Sequence, residues 1–292
     1  VVPFLFTKIM AAIANLSREK LISTARTLPA APQVLSELGE ILQDVNTGLE
    51  EIADLLKRDA ALAARIIRIS NSSALGGGSR IGSVEEAVNR VGFSEVYRLV
   101  GLATTSRLAD RDLNFYRIGA EQMRHHMMFS ALSAEKLAEH CGTSSRDAYT
   151  AGLMRPLGMM VTDRIARERI PQPEPFDAAK HPGYAAWEAF IFGISHCEVA
   201  GMILAEWKFP QEQVSAICDH YLMRAQDLSN PLAVLLNLAG CQTLLAGYGL
   251  CGEPVYFGVT PEKLAAVGLT EDDFREAGAE TQKRFDRIKD SL

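Results

Sequence analysis

Asp59-Ala60-Ala61-Leu62-Ala63-Ala64-Arg65-Ile66-Ile67-Arg68-Ile69-Ser70-Asn71-Ser72 is the stretch that decides how this chain folds. Leu62, Ile66 and Ile69 recur at the three-and-four spacing that puts them on one side of a helix, while Arg65 and Arg68 fall elsewhere. Asp59 precedes the run as an N-cap, and Asn71 with Ser72 can close its end through side-chain bonds to backbone.

The same period extends in both directions. Upstream, Val34, Leu35, Leu38, Ile41 and Leu42 share one face. Thr47 followed by Glu50 predicts a capping box for a helix that turns Leu49, Ile52, Leu55 and Leu56 inward. Downstream, Ser83 with Glu86 predicts another helix start, with Gly92 ending that helix in a left-handed conformation and Ser94 capping the next. That next helix carries Val96, Leu99, Val100 and Ala103 on one side. A longer series begins near Gln122 with Met127, Met128, Leu132 and Leu137. Ile170-Pro171-Gln172-Pro173-Glu174-Pro175 cannot be helical, because each proline removes a donor and restricts the residue before it. Ser195 with Glu198 predicts a capping box that places His196 and Cys197 in a first helical turn. Pro210 suits the first position of the helix after it, and Thr260 and Thr270 mark two further starts. No alternating strand of useful length interrupts the pattern. The expected fold is all-α: an N-terminal helical bundle over 1–120, a second helical bundle over 121–245, and a C-terminal helical extension over 246–292.

Composition narrows the functional classes. With 292 residues, 48% hydrophobic and 23% charged, the chain can bury a substantial core. A net charge of −6 without a concentrated basic run argues against a nucleic-acid surface, which needs clustered cations to displace phosphate counterions. Five cysteines without CxxC spacing fit a reducing, cytoplasmic setting. The apolar Val1-Val2-Pro3-Phe4-Leu5-Phe6 is interrupted by Lys8 and reads as a docking segment rather than a membrane span. Gly76-Gly77-Gly78-Ser79-Arg80 lacks the Gly-Lys-Ser/Thr ending of a phosphate loop and reads as a turn.

Several blocks, in order, resemble the HDOD family. They are Leu28-Pro29-Ala30-Ala31-Pro32, the run 59–72, Ile81 to Gly92, Phe192-Gly193-Ile194-Ser195-His196, Glu206-Trp207-Lys208-Phe209-Pro210 and Ile217-Cys218-Asp219-His220-Tyr221. The resemblance covers roughly residues 26 to 245. It implies an HD-domain-like multi-helix bundle related to the HD phosphohydrolases but stripped of much of their catalytic set. It further implies a bacterial signalling or regulatory module.

The decisive block for chemistry is Leu153-Met154-Arg155-Pro156-Leu157-Gly158-Met159. By that resemblance His126 matches the first metal-binding histidine, and Arg155 and Pro156 stand in place of the His-Asp pair. His196 and His220 match later histidines, Tyr221 replaces a second histidine, and Gly240 falls where the last aspartate would be. Arginine is always protonated and gives no lone pair to a cation. No superfamily-type metal and no cofactor are therefore expected, leaving His126, His196 and His220 as a bare three-histidine alternative. Cys197 and His196, being consecutive, are expected to face different ways, and His125 to lie on the surface. His126, Arg155, His196, His220 and Tyr221 are the candidate ligand pocket. Asn71 and Arg80 are candidate interface residues, since a groove between the two bundles suits a partner. The favoured function is a non-catalytic module that binds a signalling partner or a small ligand. The alternatives are a residual metal-dependent phosphohydrolase acting on a nucleotide or cyclic dinucleotide, and a purely structural scaffold. Oligomeric state is left open.

Overall fold

The computed structural model describes residues 18–27, 31–44, 46–71, 80–169 and 174–291. Among these the protein is all-α, with a single isolated antiparallel bridge between Leu113 and Ile118. The N-terminal apolar segment, most of the Gly76–Arg80 turn, Ser72, and Ile170 to Pro173 lie outside the described residues.

The first half consists of α1 (Arg18–Ala25), α2 (Ala31–Ile41), α3 (Leu49–Lys57), α4 (Ala60–Ser70), α5 (Val84–Val91) and α6 (Phe93–Leu108). The second contains α7 (Ala120–Cys141), α8 (Ser145–Met154), α9 (Leu157–Arg169), α10 (Tyr184–Phe192), α11 (His196–Glu206), α12 (Gln211–Asp219) and α13 (Pro231–Leu245). It is followed by α14 (Pro261–Ala266) and α15 (Glu271–Ile288).

The deciding stretch folds as its pattern requires. Asp59 accepts from the N–H groups of Ala61 and Leu62, both at 3.0 Å, and Leu62, Ile66 and Ile69 are buried. Ser83 caps α5, Ser195 with Glu198 forms a full capping box on α11, and Thr260 and Thr270 cap α14 and α15. Three local details differ. Thr47 does not cap α3, because its hydroxyl donates to Ile41 O and Gly48 takes the cap position. Gly92 has φ 80° but an extended ψ of 162°, so α6 starts at Phe93, before Ser94 could cap it. Pro210 is the N-cap of α12 rather than its first helical residue.

Two helices organise the molecule. α6 is buried almost all round, from Val96 to Thr105, because it lies between the halves and packs on α2, α4, α5, α7 and α8. Gly101 makes the seam close. A Cβ there would stand 2.2 Å from the hydroxyl of Tyr149, which donates to Arg98 O at 3.1 Å. The seam is further tied by Arg98 Nε to both Glu135 oxygens, at 2.8 and 3.0 Å. α7 is the axis of the second half and carries α8, α13 and α15 against it. The first and last described α-helices do not stand apart from this core. α1 packs on α9 and α11, and α15 buries Phe274 and Phe285 against the second bundle. No single described helix is long and apolar enough to cross a membrane.

Candidate functional site

The five candidate pocket residues converge in the second half, and all are buried. α7 supplies His126, and Met123 and Met127 of the same helix are fully buried as well. Arg155 is the C-cap of α8, where the chain turns through Pro156 into α9. Gly158, one turn on, lets α9 touch the start of α11: a Cβ there would lie 1.9 Å from His196 O. That contact sets His196 beside the cluster. His220 caps the end of α12, and its carbonyl is held by Asn237 Nδ2 at 2.8 Å.

Arg155 is the centre of the arrangement, with a side chain 1% exposed. Its Nη2 donates to His126 Nε2 at 2.7 Å and lies 3.4 Å from Glu253 Oε1. Its guanidinium carbon sits 4.9 Å above the Phe257 ring. Gly240 makes the room, since a Cβ there would come within 2.6 Å of Nη1 and 2.5 Å of Phe257. Gly240 and Arg155, far apart along the chain, thus meet in space. The arginine fills what a longer residue at 240 would occupy.

Protonation follows from these contacts. His126 Nδ1 donates to Tyr248 O at 3.0 Å, so Nε2 is the lone pair that accepts from Arg155. Burial pushes His126 down to about 4, aided by Arg155 and opposed by Glu253, so the ring is neutral. His220 donates from Nδ1 to Ile217 O at 2.7 Å, and burial together with Arg155 holds its pKa well below the ordinary histidine range. His220 Nε2 has no protein partner. His196 is the opposite case. Burial disfavours its charge, but the Cys197 sulfur and the Glu188 carboxylate outweigh it and hold the imidazolium well above the usual range. Burial pushes the Cys197 thiol up as well, so the lasting counter-charge to His196 is Glu188. Glu188 accepts from His196 N–H at 2.7 Å and from Nδ1 at 2.8 Å.

The three histidines therefore differ in charge state, His126 and His220 being held neutral and His196 favoured as the imidazolium. Two buried glutamates outside the superfamily pattern, Glu188 and Glu253, supply the negative charge. Glu188 had a signal, being the lone charge in the apolar run Tyr184–Phe192. Glu253, on the loop between α13 and α14, had none, since loop residues carry no period. Tyr221 donates toward Glu253 Oε1 at 3.4 Å and stacks on Tyr256, with ring centroids 3.9 Å apart.

Three further expectations change. Cys197 does meet His196, with Sγ 3.6 Å from Nε2. The 100° offset between consecutive residues fixes where side chains leave the helix, but the imidazole is long enough to bring its far nitrogen back over its neighbour. The compact group of ligand-type atoms is accordingly His196, Cys197 and His220, within 4.8 Å of one another, rather than His126, His196 and His220. His125 is half-buried and edge-packed on Phe285 and Tyr248, not free on the surface. Beside the cluster a cleft of about 420 Å³ opens to solvent, with Cys197 and Tyr221 in its lining and Met223, 67% exposed, at its edge.

Asn71 and Arg80 lie apart, at the end of α4. The Asn71 amide is committed internally: it donates to Ile67 O and Ile81 O and accepts from Ile81 N–H at 2.8 Å. Arg80 is exposed.

A family profile described as the HDOD domain matches residues 28–223. Among solved structures, an HDOD domain protein of unknown function from Geobacter sulfurreducens is 20% identical, with a TM-score of 0.65 over 94% of this chain and 98% of its own. A provisionally named phosphohydrolase from Shewanella amazonensis is 18% identical, with a TM-score of 0.61 over 92% of this chain and 96% of its own. A provisionally named signal transduction protein from Marinobacter aquaeolei is 21% identical, with a TM-score of 0.65 over 96% of this chain and 67% of its own. At these identities the likeness is one of fold. A search of curated proteins finds no match.

Proposed function

Because the chain belongs to the HDOD domain family, we propose that it is a non-catalytic regulatory module, which transmits a signal by binding a partner protein or a small ligand. The observation that carries this reading is the bond from Arg155 Nη2 to His126 Nε2, 2.7 Å long and wholly buried. A hydrolytic HD-type centre needs the lone pair of that histidine for a cation that activates water. Here the lone pair is spent on a fixed guanidinium, and Glu253, the nearest carboxylate, faces the same guanidinium. A divalent cation placed at His126 would meet like charge at hydrogen-bond range. The residues therefore do not fit a superfamily-type metal, and no reaction step is assigned to one.

What remains is a buried core in which Glu253 faces Arg155 and Glu188 faces His196, with binding surface around it. Two places suit recognition: the cleft walled by Tyr221 and Cys197, and the exposed ground near Arg80 beside the Asn71 clasp. The test uses Mn2+ as a hard-cation probe of the intact protein. Electron paramagnetic resonance of Mn2+ titrated into the protein should show only the free aquo ion at micromolar concentrations. A tight site of about one Mn2+ per chain that His126→Gln removes would overturn the reading.

A further inference from the structure

We propose that His196, Cys197 and His220 form a binding site for one soft or borderline d10 cation, Zn2+ in the first instance, set beside the Arg155 ion pair. The three residues offer one ligand atom each, and these atoms lie within 4.8 Å of one another in a fully buried group.

The orientation of the two imidazoles is the strongest argument. Each commits Nδ1 to an acceptor, His196 to the Glu188 carboxylate at 2.8 Å and His220 to Ile217 O at 2.7 Å. Each therefore turns Nε2 toward the cluster. A histidine that binds metal through one nitrogen characteristically donates from the other to a carboxylate or a backbone carbonyl, which fixes both tautomer and ring plane. Both arrangements are present here. His220 Nε2 is the independent sign of a ligand: it is wholly buried and bonded to no protein group.

The two edges at His196 Nε2 agree with tetrahedral coordination, and His220 lies within reach of the same centre. With Zn–N of about 2.0–2.1 Å and Zn–S of about 2.3 Å, the N···S edge of a tetrahedron is roughly 3.5–3.6 Å and an N···O edge roughly 3.3–3.4 Å. His196 Nε2 stands 3.6 Å from Cys197 Sγ and 3.3 Å from Tyr221 Oη. The tyrosine hydroxyl, or a water in its place, supplies the fourth position.

The donor set also selects the metal. One sulfur and two imidazoles favour zinc or copper(I) over magnesium, calcium or manganese, which prefer oxygen. Cys197 and Glu188 bring two negative charges to the ion, and Glu253 answers Arg155 separately. Uptake replaces the S–H bond of Cys197, and the Nε2–H bond of His196 where that ring is protonated, by bonds to the metal, and the protons leave to solvent. Cys197 and Tyr221 line the open cleft, so the ion has a route in from solvent.

The test is titration of the intact, reduced protein with Co2+, followed by Zn2+. Cobalt should give a thiolate-to-metal charge-transfer band in the near ultraviolet and tetrahedral ligand-field bands in the visible. Zn2+ should abolish both at one equivalent per chain, with about one zinc retained after desalting. Cys197→Ser should remove the charge-transfer band, while Cys218→Ser, in the same cleft, should keep it. Glu188→Gln should weaken affinity about 10–100-fold, as loss of an outer-shell partner does. Should Cys197→Ser fail to fold, alkylation of the native protein mapped by mass spectrometry decides instead: zinc should protect Cys197 and leave Cys251 reactive. The proposal is overturned by the absence of the cobalt bands, by zinc well below one per chain, by a charge-transfer band that survives Cys197→Ser, or by equal alkylation with and without zinc.

Discussion

Replacing Arg155 by methionine keeps most of the side-chain volume and removes the charge, leaving Glu253 at 2% exposure without its guanidinium. His126 Nε2 loses its donor at the same time. Breaking one half of a buried ion pair typically costs about 3–5 kcal/mol, because the remaining charge stays desolvated and uncompensated. At about 2.1 cal/mol/K of unfolding entropy per residue, 292 residues give roughly 0.6 kcal/mol/K. Arg155→Met should therefore lower Tm by about 5–8 °C in differential scanning calorimetry. Glu253→Gln in the same background removes the stranded charge, so the double variant should recover part of that loss, with a coupling of about 0.5–3 kcal/mol. Arg155→Met within about 1 kcal/mol of the parent, or a double variant whose loss equals the sum of the singles, would refute the view that the guanidinium and Glu253 are each other's buried counter-charge.

Other outcomes follow from the same contacts. His126 is neutral in the fold with its pKa at about 4, whereas the unfolded chain takes up that proton near the ordinary value of 6.5. The unfolded state thus binds more protons between those values, and stability falls as pH drops from about 6.5 to 4, by about 3 kcal/mol from this group. Thermal melts across that range should show a smaller acid loss for His126→Gln than for the parent. Gly101→Ala should cost about 1–3 kcal/mol by overpacking the seam against Tyr149, and Tyr149→Phe in the same background should relieve it only in part, since ring carbons at 2.6 and 2.8 Å still stand against the added Cβ. Asn71→Ala should cost about 1–3 kcal/mol by freeing the Ile81 backbone groups, while Arg80→Ala should stay within about 0.5 kcal/mol. Equal effects at both positions would contradict the clasp.

The fold was legible wherever burial is periodic. Leu62, Ile66 and Ile69 announce their helix because one face must leave water, and Asp59 and Ser195 announce helix starts because orphan N–H groups need an acceptor. Thr47 misled for the same local reason: its hydroxyl found Ile41 O, six residues back, and a pattern of four residues does not see that far. In the site, the meaning of Arg155 could be read because a guanidinium cannot serve as a ligand. Its partner could not. Glu253 approaches from a loop 98 residues away along the chain, where neither period nor spacing marks it. Gly240 was noticed as a missing aspartate, yet only the fold shows that its bare Cα makes room for Arg155 Nη1. The Cys197 to His196 contact depends on side-chain reach rather than on helical phase, so a rule about phase missed it.

The measurement that bears most directly on the central claim is a hydrolysis assay on the intact protein. Cyclic dinucleotides, nucleoside triphosphates and a chromogenic phosphodiester would be supplied with Mg2+, Mn2+, Ni2+ or Zn2+ in turn. With Arg155 fixed on His126 Nε2, no turnover above the metal-only background is predicted for any pairing. Metal-dependent turnover that disappears in His126→Gln would show a working catalytic centre at His126, and would contradict the reading of this protein as a non-catalytic regulatory module.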